Sequence, residues 1–386
     1  MLHRFISTII FVLACVCAGA QGTCVINGTI ADVKAADGKK VKKVYLTRTN
    51  EFGEDETVAE AKVKKGKFTF KRELAKDEPV LMYKIKGLSR NVELFVEPGE
   101  VTVVAGNPGL AWGTPANDAL FKYKEICMEE HAAVLAKEKE LAVKNGNEWL
   151  ESAEGKAVMD RIKAQEAIKN QAARLRFLID HNSSPMTPYI AEHVLLPKLT
   201  DAYADQVVKS ISTTLHNHPY YLSLRNKVLS RSLKVGNEVP DIMLPMLGGE
   251  QKHLKDFRGK YVVLNFWANG CDKSAAMLAE MQNLYNVVKE NSDKFVMISF
   301  AQESDAAAWR AAVESGNMNL EGWLHACDGI GAESPAAKSF KVDNAPRIIL
   351  IEPEGRAVSL DMDIDEVVMR VEQILSGDLY YLDQEK

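Results

Sequence analysis

Thiols are scarce in this chain, and the scarcity narrows its chemistry. Only six cysteines occur among 386 residues, too few and too dispersed for the disulfide framework of a small secreted fold. None stands at the close Cys/His spacing of a zinc site, so neither a metal nor a cofactor is expected. An excess of one charge is missing as well. The 48 basic and 53 acidic side chains interleave to a net charge of −5, which leaves no basic stripe for nucleic acid. Beyond the N-terminus no apolar run approaches the length that crosses a bilayer.

What is present starts at that N-terminus. Arg4 precedes an apolar run from Phe5 to Val16, and Ala18-Gly19-Ala20 supplies small residues at the usual cleavage positions. Residues 1–20 therefore read as a secretory signal peptide cut before Gln21. Cys15 and Cys17 leave a lipoprotein anchor open, although Leu13-Ala14 makes a poor lipobox. Export places the mature chain in the periplasm or cell envelope with Cys24, Cys127, Cys271 and Cys327, where disulfides are tolerated.

Three regions follow. Over 21–112 short alternating stretches (Val44 to Thr47, Lys67 to Phe70, Val92 to Val96, Val101 to Val104) are split by Lys65-Gly66 and Glu97-Pro98-Gly99. Period-two alternation between Gly/Pro turns predicts an antiparallel, sandwich-like sheet domain. It carries no acid pair, cysteine cluster or phosphate loop, and Cys24 reads as flexible or sheet-packed. Thr114-Pro115 opens a charged helical spacer over 113–234, with long helices near Ala119 to Val143 and Lys156 to Ile179. Cys127 reads as a small buried hydrophobe within it, and His216 and His218 as solvated helix-start residues. From 235 to 386 strand and helix signals alternate, which predicts a partly parallel sheet covered on both faces.

One thiol stands out. The strand Tyr261 to Phe266 runs through Trp267-Ala268-Asn269-Gly270 into Cys271, and a helix starts at Asp272. Unpaired N–H groups and the dipole of a helix N-terminus favour a thiolate, and such settings bring a cysteine pKa from about 8.5 to roughly 3.5–7.5. Lys273 adds to this and Asp272 opposes it. Three residues on, where a redox pair needs its second thiol, stands Ser274. A hydroxyl can donate to a thiolate but cannot attack a mixed disulfide, so an adduct at Cys271 must be released by an outside thiol. Cys327, after the short strand Trp323 to Ala326, is the one possible internal resolving residue, provided the two Cα atoms lie within about 7 Å.

Over roughly Leu233 to Leu375 the chain resembles the thioredoxin-like domains of periplasmic bacterial proteins, the TlpA/ResA and AhpC/TSA group. The resemblance rests on Val239-Pro240-Asp241, Leu254 to Lys260, Asn265-Phe266-Trp267-Ala268 before the cysteine, and Val342 to Pro346 before a strand and an acidic-Gly hairpin. It implies an α/β thioredoxin-like C-terminal domain, preceded by the antiparallel β domain of unknown function and the helical linker. It also implies that Cys271 is the nucleophile, that Trp267 lies under its loop, and that Pro346 belongs to a cis-proline loop facing the sulfur. Three departures stand out: Ser274 for the second cysteine, Gly270 for a bulky residue, and Ala345 for Thr or Val before the proline.

The function expected is thiol-disulfide interchange in the envelope through Cys271, with Ser274 and Pro346 in the site and Trp267, Lys273 and Ala345 in support. Cysteine-containing envelope proteins or small thiols would be the partners. A redox-inactive thioredoxin-fold binding or scaffold module remains the alternative, since Trp267 and Pro346 serve the fold in either case.

Overall fold

The alternation over the first region places one face of each strand in a shared core. A computed structural model describes residues 20–30, 40–50, 54–106 and 108–377. Residues 1–19 of the signal segment, with Cys15 and Cys17, lie outside the described residues. By contacts the described chain divides into two units, Met1–Lys198 with Gln206–Leu222 and Leu199–Asp205 with Ser223–Lys386.

The first unit holds eight strands: β1 (Ala20–Ile30), β2 (Lys43–Thr49), β3 (Asp55–Lys62), β4 (Lys67–Ala75), β5 (Leu81–Lys86), β6 (Val92–Val96), β7 (Gly99–Ala105) and β8 (Leu110–Trp112). They form two four-stranded sheets, β4-β1-β7-β8 and β3-β2-β5-β6. Alternate residues of both sheets, among them Ile26, Leu46, Phe70, Ile85, Leu94 and Val103, close one apolar core between them. One pairing departs from the antiparallel expectation, because β1 and β7 run parallel. The turn at Glu97-Pro98 carries the chain from one sheet to the other instead of closing a hairpin, so β7 enters beside β1 in the same direction. Gly28 is required by a close approach: a Cβ there would lie 1.9 Å from the Phe68 ring of the neighbouring strand.

The helical region comprises α1 (Pro115–Asn145), α2 (Asn147–Glu151), α3 (Ala153–Asp180), α4 (Met186–Ile190), α5 (Asp201–Ser210) and α6 (Pro219–Arg231). Helix α1 starts on buried polar bonds. Glu97 Oε1 accepts from the Ala116 N–H at 2.8 Å and the Asn117 N–H at 3.4 Å. The fully buried Asn117 side chain pairs with both the N–H and C=O of Phe95 at 2.8 Å each. His218 corrects the sequence reading. It is half-buried, with Nε2 3.1 Å from the Val80 carbonyl and Nδ1 accepting from the Tyr220 N–H.

Most of α6 belongs to the second unit. Asn226 bonds the Asp241 main chain in both directions, at 2.8 and 3.1 Å, and Arg225 and Arg258 both meet Glu238. A small hairpin, β9 (Met243–Pro245) with β10 (Gln251–His253), leads into β11 (Tyr261–Trp267), α7 (Asp272–Glu290), β12 (Phe295–Ala301), α8 (Ala306–Ser315), β13 (Trp323–Cys327), α9 (Pro335–Ser339), β14 (Arg347–Ile351), β15 (Ala357–Met362) and α10 (Ile364–Ser376). The sheet order is β13-β12-β11-β14-β15, parallel across the first three strands and antiparallel across the rest. Central β11 is buried from Val262 onward, which is why it reads as an unbroken apolar run. Helices α7, α8 and α10 pack one face of the sheet, where Met281, Leu284, Trp309, Val313, Val367 and Val371 share a core. The segment around Val239 to Leu254 and α9 cover the other face.

Candidate active site

The site forms at the carboxyl end of β11, where a parallel strand stops and its helix begins. Trp267 ends the strand, 2% exposed, and its carbonyl accepts from the Gln302 N–H at 2.8 Å. The indole N–H of Trp267 has no partner among the described residues. The next three residues are fastened one by one. The Ala268 N–H donates to Ser274 Oγ at 3.2 Å, the Asn269 N–H to Glu303 Oε1 at 2.8 Å, and the Gly270 N–H to Asn269 Oδ1 at 3.0 Å. Gly270 takes φ 72°, a left-handed turn that glycine adopts without steric cost. A Cβ there would meet nothing within 4 Å, so backbone conformation and not crowding accounts for the residue.

Cys271 is the N-cap of α7, with φ −98° and ψ 113°. It is half-buried, and its Sγ lies 4.0 Å from the Ala345 carbonyl oxygen. The Ala345–Pro346 peptide is cis, and both residues are half-buried. Cys271, Ala345 and Pro346 are thus brought to one place. The thiol is held below its ordinary range, first by the Ser274 main-chain N–H and then by the Ser274 hydroxyl, with the Lys273 N–H helping and the Asp272 charge opposing. Lys273 itself is exposed and acts through its main chain, where its ammonium was the expected contributor. Ser274 is only 1% exposed. Its oxygen accepts from Ala268, and its proton is left for the sulfur.

Cys327 is not brought to Cys271. It closes β13, two strands away from β11 and on the side opposite β14, whose leading loop the Cys271 sulfur faces. Its thiol donates to the Glu303 carbonyl at 3.4 Å and accepts from the Gly329 N–H at 3.4 Å, and burial pushes it up. Burial also pushes up Cys24, packed within β1 with no exposed surface, and Cys127, half-buried in α1. Among the described residues Cys271 is the one cysteine shifted toward the thiolate. An open groove of about 640 Å³ begins at Gly270 and Cys271 and runs between Ala275 and Ala279 of α7 and Ala308 and Ala312 of α8.

Sequence reasoning missed Gln302 and Glu303. They are the first polar residues after the apolar run of β12, at the carboxyl end of the strand beside β11, and that position was the available signal.

Residues 235–356 match the AhpC/TSA family. The chain is also 35% identical over 126 residues to the thiol-disulfide oxidoreductase ResA of Bacillus thuringiensis subsp. konkukian, a match covering 33% of this chain and 68% of that protein. The chain belongs to the AhpC/TSA family. Its family domain is the thioredoxin-like second unit, and residues 24–120 match a separate domain of unknown function, DUF4369. The AhpC/TSA domain is also similar to the thioredoxin-like protein YneN of Bacillus subtilis, 36% identical over 67 residues, 17% of this chain and 38% of that one. Among solved structures, a thiol-disulfide oxidoreductase from Bacteroides fragilis aligns at 28% identity and a TM-score of 0.33, covering 36% of this chain and 99% of that one.

Proposed function

We propose that the protein is an exported thiol-disulfide interchange protein with a single reactive cysteine, Cys271. The observation that carries this reading is the sulfur's setting: a half-exposed helix N-cap, donors from Ser274, and the Ala345 carbonyl 4.0 Å away. The Cys271 thiolate attacks one sulfur of a partner disulfide. The Cys271–partner bond forms, the partner's own bond breaks, and its other sulfur leaves as a thiolate. A second, outside thiolate then attacks the partner sulfur of the mixed disulfide and returns Cys271 as a thiolate, so no net electrons are required of the chain. Ser274 stabilises the free thiolate before attack and after release, and it does not resolve the adduct.

The partners are cysteine-containing proteins or small thiols outside the cytoplasm, in line with the apolar N-terminal segment from Phe5 to Val16. We assign the chemistry to residues 235–386. The β domain over 21–112 contributes no reachable thiol, because Cys24 is fully buried. The groove beside Cys271 supports the rival reading of a redox-silent binding module.

The pH dependence of Cys271 alkylation by iodoacetamide separates the two. A rate already at its plateau near neutral pH is expected. A rate that climbs only toward pH about 8.5 overturns the redox reading and leaves the binding module. Measuring the same profile in Cys271→Ser removes the contribution of the other thiols.

A further inference from the structure

Two consecutive residues at the end of β12 hold the loops that make the site. Gln302 donates its main-chain N–H to the Trp267 carbonyl at 2.8 Å, and its side-chain amide reaches the Val342 carbonyl at 3.5 Å, on the segment leading to Pro346. Glu303 accepts the Asn269 N–H on its carboxylate at 2.8 Å while its carbonyl takes the Cys327 thiol at 3.4 Å. Between Asn269 and Cys271 only Gly270 intervenes, and a glycine at φ 72° with open space around it offers little resistance to rotation. The Glu303 bond is therefore the last one to another element before the sulfur: the Gly270 N–H turns back to Asn269 Oδ1 at 3.0 Å, and the Cys271 carbonyl accepts from Ala275 of its own helix at 2.9 Å.

We propose that Glu303 is a positioning residue for Cys271: by anchoring Asn269 it keeps the sulfur at the α7 N-cap, within reach of the Ser274 and Lys273 N–H groups. This rests on the reading of Cys271 as a reactive thiol and extends it to a residue placed to act on that sulfur only through Asn269. The effect is one of geometry and runs against the charge. A carboxylate near a thiolate disfavours the anion, so a purely electrostatic Glu303 would make Cys271 less reactive. The other ionisable groups at the ends of the flanking elements nearest the sulfur are Asp272 and Lys273 at the start of α7, Asp305 at the start of α8, Cys327 and Asp328 at the end of β13, and Asp343 and Arg347 around the Pro346 loop.

Three variants separate geometry from charge. Glu303→Gln keeps an acceptor oxygen for Asn269 and drops the charge. Glu303→Asp keeps the charge but is one methylene too short, and Glu303→Ala removes both. The reading is the midpoint of the iodoacetamide pH profile of Cys271, with circular dichroism confirming an unchanged fold. Glu303→Gln should match the wild type or titrate slightly lower. Glu303→Asp and Glu303→Ala should titrate higher, with alkylation about threefold to tenfold slower below neutral pH, the effect of about half a unit to one unit in midpoint. If Glu303→Ala and Glu303→Gln titrate alike, the residue acts by charge and the positioning role is overturned. Should Glu303→Ala fail to fold, the contrast between the Gln and Asp variants decides alone. A wild type with no depressed midpoint refutes the reactive-thiol reading itself, whatever the variants do.

Discussion

Ser274 concentrates two tasks in one buried hydroxyl, receiving the Ala268 N–H and facing the Cys271 sulfur. A second residue of the same domain shows how burial sets chemistry away from the site. His325 on β13 is 3% exposed, and Nε2 lies 2.9 Å from the Met318 carbonyl. Burial lowers its pKa from 6.5 to about 4. The folded state therefore favours the neutral ring, and the unfolded state takes up a proton first as pH falls. Its contribution is complete above pH about 6.5 and is lost progressively toward pH about 4, up to about 3 kcal/mol in all. Chemical denaturation at pH 7 and pH 4.5 should show His325→Gln losing less stability over that interval than the wild type. Equal losses would mean the imidazole is not the titrating group.

At the scale of elements, the strand–thiol–helix run of β11, Cys271 and α7 was legible because an apolar run, a single cysteine and a helix pattern follow one another; Gly270 read only as a departure, and its left-handed turn is seen in the structure alone. Helix α7 begins at Asp272 as expected, and the alternating stretches of the first region do form strands of two facing sheets. Pairing between distant strands is not a local property, and so the parallel contact of β1 with β7 left no trace in the pattern. Glu303 was only half legible for a similar reason: its place at the carboxyl end of β12 marks it as near the site, but nothing in a polar residue after a strand tells which neighbouring loop it will reach. His218 was misjudged because spacing alone cannot reveal the carbonyl of Val80 waiting for it. The α1 N-terminus belongs with these hidden features. Asn117→Ala leaves the N–H and C=O of Phe95 buried without partners, at a cost of about 3 kcal/mol. Thermal unfolding of the first unit should come earlier while Cys271 alkylation at 25 °C keeps its rate and pH midpoint. A shift in that midpoint would contradict the assignment of the chemistry to the second unit.

For the whole molecule, the division by contacts does not follow the composition. The sequence marks a boundary near 234, where charged helices give way to alternating strands, yet α6 from Ser223 onward is part of the second unit. Composition records what a helix is made of and not which core it joins. The ion pairs of Arg225 and Arg258 with Glu238 are partly exposed and contribute little. The two-way bonding of Asn226 to Asp241 carries the attachment. A fragment over 219–377 is thus expected to melt roughly 3–6 °C above one over 235–377, in keeping with about 1–2 kcal/mol lost with the two Asn226 bonds. Equal melting temperatures would return α6 to the linker.

A hydroxyl at 274 finally ties the chain to its surroundings in time. Where a neighbouring sulfur would clear an adduct within the molecule, the proposed single-cysteine exchange makes clearance second order, so that halving the ambient thiol would double how long an occupied Cys271 persists. The fraction of molecules carrying an adduct then becomes a running gauge of how reducing the medium is.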